Sequence, residues 1–194
     1  PLLESFGLVV VEAVPFRMAH PRIGGGELHI DDIGIRLDAP FGTEALRFVP
    51  EIHGPRLVEA VEACARGEAD VDSLNRLVTG AALDWRQVMV LRAERRYGNQ
   101  GASGLTWSER AEPLADNPDV ARSLVAYFQA RFDPTSADLS GRGAPERALC
   151  AGQLDLVTGL EVFRVLEAVL RLIDATWRTN YFSAGYADPG WAPR

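Results

Sequence analysis

The spacing of apolar residues changes about a quarter of the way along the chain. In the first 50 residues the spacing is typical of strands: Leu8–Val14 is a run rich in β-branched residues, and Pro15 predicts that it ends in a bend. A second stretch alternates apolar and polar residues, with apolar positions at Leu28, Ile30, Ile33, Ile35 and Leu37. Its alternation slips by one residue across Asp31–Asp32, which predicts a β-bulge there. We therefore expect an antiparallel hairpin with a loose loop.

From about Gly54 onward, the spacing is that of amphipathic helices. The pattern predicts helices over Pro55–Ala65, Asp72–Thr79, Asp84–Gln100 and Asn117–Phe132, and a long last helix over about Leu154–Phe182, after a polar loop at 135–143. Asp84 with Gln87 forms a capping box, and Asn117 before Pro118 is a typical helix start. The long helix would bury the stripe Leu156, Leu160, Phe163, Leu170, Ile173, Trp177 and Tyr181. The predicted fold class is α+β, predominantly α: a partial antiparallel sheet followed by a helical bundle.

Composition is that of a globular domain, with 47% hydrophobic and 24% charged residues in 194. The net charge of −7 argues against nucleic acids and anionic membranes as partners, because both attract basic surfaces. Cys64 and Cys150 have no CxxC spacing, so we expect free thiols in a reducing cytoplasm, with a disulfide as the alternative. No signal peptide or membrane-length apolar run is visible, and Pro1 as first residue suggests a piece of a longer polypeptide.

Candidate chemistry is sparse. All 20 basic residues are arginine, so Walker-type phosphate binding, Schiff-base chemistry and lysine bases are excluded for this chain. Gly24–Gly26 is not a GxGxxG motif, and a strand is expected after it, so a hairpin loop is favoured over a phosphate cradle. The histidines (His20, His29 and His53) lack metal-ligand spacing, and Asp31–Asp32 should point to opposite faces of a strand. We assign no catalytic, cofactor-binding or metal-binding residue.

Arg92, Arg95 and Arg96 are the exception, because spacings of three and four place them on one face of a helix. Three guanidinium groups there could clamp a carboxylate or phosphate ligand. They could also pair with Glu94, Glu109 or Glu112, or with acidic residues of a neighbouring subunit. Structural ion pairing is the favoured interpretation, ahead of an interface and of an anionic effector site.

Three blocks of sequence, in order, resemble the large multidomain NAD-specific glutamate dehydrogenases of bacteria. They are LDWRQVMVLRAERRYGNQ (83–100), NPDVARSLVAYFQARFDP (117–134) and RTNYF (178–182), and GEADVDSLNRLVT (67–79) is a further similar stretch. The resemblance covers residues 65–182 well and residues 1–50 more weakly. Glu94 departs from it, since the family tends to have an aromatic residue there, and Gly98 stands where leucine is usual.

The resemblance implies that residues 1–50 are part of an ACT-like α+β module and that residues 51–194 are a helical domain leading towards a catalytic domain. The whole enzyme would convert L-glutamate to 2-oxoglutarate and ammonia with NAD, using lysines and a Rossmann site that this chain lacks. The chain would then be a non-catalytic regulatory or scaffolding segment of a cytoplasmic homo-oligomer. Its partners would be the remaining domains and possible small amino-acid effectors. The alternative is a free-standing helical ligand-binding or signalling module.

Overall fold

The computed structural model describes residues 1–19, 27–37, 49–99, 111–136 and 141–183. Over these ranges the chain forms a short helix α1 (Leu2–Ser5), a two-stranded antiparallel sheet and a set of helices. The strands are β1 (Leu8–Ala19) and β2 (Glu27–Leu37). The helices that follow are α2 (Pro50–Ala65), a 3₁₀ turn (Ser73–Asn75), α3 (Arg76–Gly80), α4 (Trp85–Asn99), α5 (Ala111–Asp116), α6 (Pro118–Phe132), α7 (Ala144–Leu154) and α8 (Leu160–Ala175). The predominantly helical α+β class is confirmed.

The hairpin is regular along β2, and its irregularity lies in β1. The register shifts between Val10 and Glu12, so Val11 is the bulged residue, and the prediction of a bulge at Asp31–Asp32 is wrong. The expected bend at Pro15 is also wrong, because β1 stays paired through Pro15 as far as Ala19. A proline without an N–H is tolerated in an edge strand, and both strands of a two-stranded sheet are edges.

The one-residue slip of the apolar pattern in β2 does not produce a bulge in that strand. Because β2 runs without interruption, its apolar residues change from one face of the ribbon to the other. The bulge at Val11 makes the same change in β1. The ribbon therefore carries a proximal apolar patch on one face and a distal apolar patch on the opposite face. The proximal patch is Leu8, Val10, Ile33, Ile35 and Leu37; the distal patch is Val14, Phe16, Met18, Leu28 and Ile30.

Only the base of the hairpin joins the main core. Phe6 and Leu8 are buried with the helical residues, whereas every residue of the distal patch is exposed. The Thr79 hydroxyl donates to the Phe6 carbonyl at 2.9 Å, and the Asn75 amide donates to the Ser5 hydroxyl at 3.0 Å. These contacts fasten α1 and the start of β1 to the helices.

The core lies among the helices and has one contiguous set of buried side chains. Its centre comes from the 3₁₀ turn and from α3, α4, α6 and α8, with the fully buried residues Leu74, Leu77, Val88, Leu91, Leu124, Val125, Leu166 and Ile173. The sequence signals for α4 operate as predicted: the Gln87 N–H donates to the Asp84 carboxylate at 2.8 Å, and the Asp84 N–H donates to the Gln87 side chain at 2.9 Å. This reciprocal pair fixes where α4 begins.

The predicted long helix over about Leu154–Phe182 is wrong. The helix in that range is α8, which begins after Gly159, whose φ of 102° is a conformation that favours glycine. The preceding helix α7 ends at Leu154, and the sequence pattern did not predict it. After α8 the chain is extended, and two residues of the predicted apolar stripe, Leu156 and Trp177, are 74% and 93% exposed. The Asp72–Thr79 prediction is also divided, into the 3₁₀ turn and α3.

Two smaller observations complete the fold. Asn117 precedes α6 as predicted, but its side chain does not cap that helix; its amide donates to the Pro113 carbonyl at 2.8 Å. Gly143 lies so close to α6 that a Cβ there would be 3.0 Å from the ring of Tyr127. Among the helices in the described part of the chain, none combines the length and the apolar character that crossing a membrane requires.

Candidate functional site

The arginine cluster of α4 is built around Asp72, which lies in the turn just before the 3₁₀ element. Arg92 donates from Nε to Asp72 Oδ2 at 3.0 Å and from Nη2 to Asp72 Oδ1 at 2.8 Å, which is the bidentate geometry of a strong ion pair. The side chain of Arg92 is 1% exposed. The same guanidinium donates to the Asn75 side-chain oxygen at 2.6 Å, so α4 and the turn are held together by a buried polar network.

Arg95 and Arg96 complete the cluster. Arg95 Nη2 lies 3.1 Å from Asp72 Oδ2, and its side chain is as buried as that of Arg92. Arg96 pairs with Asp70 at the surface. The prediction of structural ion pairing is confirmed for all three arginines, although the acidic partners are Asp70 and Asp72, not the glutamates considered from the sequence. Those aspartates lie 20 or more residues before the arginines they pair with, so helical spacing alone could not identify them.

The carboxylate of Asp72 stays ionised in this environment. Burial alone would raise its pKa, but the hydrogen bonds and charge of Arg92, the charge of Arg95 and the N–H of Leu74 outweigh burial, and the pKa lies below its ordinary value. Asp72 thus has two roles: it pairs with the buried guanidinium groups of both Arg92 and Arg95, and it caps the 3₁₀ turn through the Leu74 N–H at 3.0 Å. Because these groups are turned towards one another, the cluster holds the fold together, and its guanidinium groups are not arranged around an open ligand site.

A second ionic network joins α6, α7 and α8. Arg147 Nη2 donates to Asp174 Oδ2 at 2.7 Å, and the Tyr127 hydroxyl donates to Asp174 Oδ1 at 2.7 Å. Burial and the hydrogen bond to Asp174 raise the pKa of Tyr127. Arg131 donates to the Asp174 carbonyl at 2.9 Å. Helical spacing predicts the pairs Glu167–Arg171 and Asp174–Arg178 in this part of the chain. The first is present, with Arg171 Nη2 3.0 Å from Glu167 Oε1, whereas Asp174 pairs with Arg147 on α7.

A cavity in the described part of the chain lies between α4, the end of α8 and the segment 176–181. Its volume is about 840 Å³, and its lining includes Val90, Phe128, Leu172, Tyr97 and Trp177, with Glu94 as a buried carboxyl group. Glu94 is 7% exposed, and burial raises its pKa. In the sequence, Glu94 is a possible partner of the arginine cluster and a departure from a family pattern. Its position in a cavity could not be predicted, because the pattern of one helix does not show which residues will face a distant segment of the chain.

The other sequence candidates lie apart from one another. His29 is exposed on β2, and His53 accepts a hydrogen bond from the Val49 N–H at 2.8 Å. Asp31 and Asp32 are exposed and oppose Pro15 and Val14, so they do point to opposite faces. Both cysteines are free thiols. His20 and Gly24–Gly26 lie outside the described residues. Within the described ranges, no group of three His, Cys, Asp or Glu side chains is placed to hold a metal ion.

The element that follows Gly24–Gly26 does not suit a binding site for the pyrophosphate of NAD. A pyrophosphate cradle needs a glycine-rich turn that opens onto a helix N-terminus. The segment after Gly24–Gly26 is instead β2, which starts at Glu27. Strand β2 pairs with β1 in an antiparallel hairpin, which is also the wrong topology for a dinucleotide-binding βαβ unit.

Comparison with known proteins relates the chain to dehydrogenases. Residues 69–134 match the sequence model described as glutamate dehydrogenase, helical motif 3, a stretch that contains the whole arginine cluster and its aspartate partners. The chain is 35% identical over 186 residues to the NAD-specific glutamate dehydrogenase of Halomonas elongata. It is 34% identical to the enzymes of that name from Mycobacterium tuberculosis, over 184 residues, and Pseudomonas aeruginosa, over 186. Each alignment covers 94% of this chain but only 11% of the relative's length.

Proposed function

Because the chain corresponds to a segment of the NAD-specific glutamate dehydrogenases, we propose that it is a non-catalytic scaffolding and regulatory part of such an enzyme. The observation that supports this most is the coverage: nearly the whole chain aligns with about 11% of the relatives, including a helical motif of that family. The chemistry of the whole enzyme would be oxidation of L-glutamate to 2-oxoglutarate and ammonia with hydride transfer to NAD. Other parts of the polypeptide would carry that reaction in the cytoplasm.

Two features of this chain favour a structural role. The arginines of α4 are engaged with Asp72 and Asp70 inside the same chain. The chain also has no lysine, so it cannot supply a lysine base or a lysine that binds the substrate carboxylate. Within the proposed division, residues 1–50 belong to an ACT-like module and residues 51–194 to a helical domain that leads towards the catalytic part. A small amino-acid effector bound by the ACT-like module would be its regulatory input.

A measurement of glutamate dehydrogenase activity tests this proposal. The purified chain, incubated with L-glutamate and NAD, should produce NADH no faster than a blank without protein, while an intact NAD-specific glutamate dehydrogenase serves as the positive control. Turnover that follows the chain through successive purification steps would contradict the proposal. The alternative, a free-standing helical module, is distinguished by the gene: its reading frame should close near Arg194, whereas an enzyme segment should be continued by many hundreds of codons.

The hairpin is the proposed site of association with other domains or with a second copy. Two strands alone do not bury enough surface for stability, and both apolar patches of the ribbon remain largely exposed. Phe16 and Ile30 are cross-strand partners in the distal patch. The paired substitution Phe16→Glu with Ile30→Lys should reduce self-association in light scattering and leave the helices folded. Unchanged association would place the contact elsewhere.

A further inference from the structure

Among the described residues, none donates a short hydrogen bond to the buried carboxyl group of Glu94, which lines the cavity. Its described hydrogen-bond partner is the Thr176 hydroxyl, at 3.4 Å from Glu94 Oε1. That hydroxyl also lies 2.8 Å from the Leu172 carbonyl oxygen. A threonine hydroxyl has a single proton, and the shorter contact to the carbonyl takes it. Glu94 is therefore left with a long contact to an oxygen that has no proton to donate.

Burying a carboxyl group in this way is costly unless something compensates for it. Asp72 shows what such compensation looks like, because two arginines of α4 hold its carboxylate at hydrogen-bonding distance. Glu94 also lines the cavity, but among the described residues it has no such partner. Arg178 is the other charged residue of the lining, and no ion pair joins it to Glu94. The missing partner is a donor with positive charge.

The rest of the cavity defines the other features of that partner. Val90, Phe128 and Leu172 provide apolar walls, and Tyr97 and Trp177 provide aromatic surfaces that are 66% and 93% exposed. A volume of about 840 Å³ is within the range of small-molecule sites. A metal ion does not suit a single carboxylate, since hard cations take six or more oxygen ligands. Aromatic faces and a carboxylate together are the chemistry that recognises organic ammonium groups.

We propose that this cavity binds a small organic cation, a primary ammonium group on an apolar chain, with the ammonium on Glu94 and the chain against Phe128, Leu172 and Trp177. The segment 176–181 closes one side of the site. It is held in place by Tyr181, whose ring meets Phe128 edge-on at 5.6 Å between centroids and whose hydroxyl accepts from the Gln129 amide at 2.9 Å. A ligand that contacts both α4 and this segment would fix the position of the chain where it leaves α8.

Calorimetric titration of the full chain with n-hexylammonium chloride tests the proposal. We expect saturable binding, no saturable binding of hexanoate or hexanol of the same chain length, and a loss of affinity of roughly tenfold or more in Glu94→Gln. The matched control is Glu161→Gln, which makes the same chemical change on the exposed face of α8 and should leave the affinity unchanged.

A second variant covers the case in which Glu94→Gln alters the fold. Ala93→Phe fills the cavity from an exposed position of α4 and should abolish binding while thermal unfolding, followed by circular dichroism, stays that of the parent. Absence of saturable hexylammonium binding, equal affinity in Glu94→Gln, or equally tight binding of hexanoate would overturn the proposal. None of these results bears on whether the chain lacks dehydrogenase activity, so the two proposals fail independently.

Discussion

The hairpin and the helical region of this chain differ in how far their apolar residues are buried. The helices collect their apolar side chains into one core and also bury two arginines against the aspartate with which both pair. The hairpin carries as strong an apolar pattern, but it divides that pattern between two faces and leaves both largely exposed. The apolar pattern of the hairpin therefore predicts its two strands, but it does not show which part of the structure covers their apolar faces.

The largest expected effect is at Asp72, inside the helical region. Asp72→Ala leaves Arg92 and Arg95 buried without a counter-charge, so we expect a loss of about 3–5 kcal/mol in the free energy of unfolding. The matched control is Asp70→Ala, which removes the surface pair with Arg96 and should cost about 1 kcal/mol or less. Urea denaturation measures both values. Similar costs for the two variants would mean that the cluster is not a buried network.

Apolar truncation compares the two regions directly. Leu166→Ala, at a fully buried position of α8, should cost about 2–5 kcal/mol, because it removes core contacts and leaves a cavity. Phe16→Ala, in the distal patch of the hairpin, should cost about 1 kcal/mol or less, because only its cross-strand contacts are lost. Thermal unfolding of the monomeric protein provides the measurement. A larger loss for Phe16→Ala would show that the hairpin belongs to the cooperative core.

The carboxyl groups of Asp72 and Glu94 should respond to pH in opposite directions. The pKa of Asp72 is lowered in the folded state, so its stabilising contribution is present above its unfolded pKa and is lost as pH falls through the folded pKa. The pKa of Glu94 is raised by burial, so its contribution is present below its unfolded pKa of about 4.3 and is lost as pH rises through the folded value.

The variant Glu94→Gln isolates the second of these effects. Above about pH 4.3 the variant should gain stability relative to the parent as pH increases, because it has no carboxyl group to ionise in the interior. The exposed-site variant Glu161→Gln should show no such trend. Urea denaturation at a series of pH values provides the comparison, and a constant difference between Glu94→Gln and the parent would contradict the burial of an ionisable group at this position.

The sequence predicted what depends on local signals. The capping box of Asp84 and Gln87, the start of α6 after Asn117 and the pairing of two strands were all correct. What failed depends on contacts between distant residues. The bulge at Val11 is fixed by the partner strand, and Asp72 reaches Arg92 only when the turn folds against α4.

The last helix shows the limit of periodicity most clearly. An apolar stripe continues through residues 156–181, yet α8 begins only after Gly159, which has a positive φ, and ends at Ala175. Helical periodicity alone does not show where a helix begins or ends, because residues beyond its ends can still fall on the same apolar stripe. The cavity next to Glu94 is formed by α4, the end of α8 and the segment after it, so it could not be predicted from the helical pattern.

Native-state hydrogen exchange tests the contrast between the two regions most directly. We expect the central amides of α4 and α6 to exchange only through global unfolding, since these helices surround the core and the arginine network. Amides of the distal hairpin, around Phe16 and Ile30, should exchange through local opening at a much lower free energy, because none of the described helices covers that part of the ribbon. Equal protection in monomeric protein, with both regions exchanging at the global free energy of unfolding, would contradict the account.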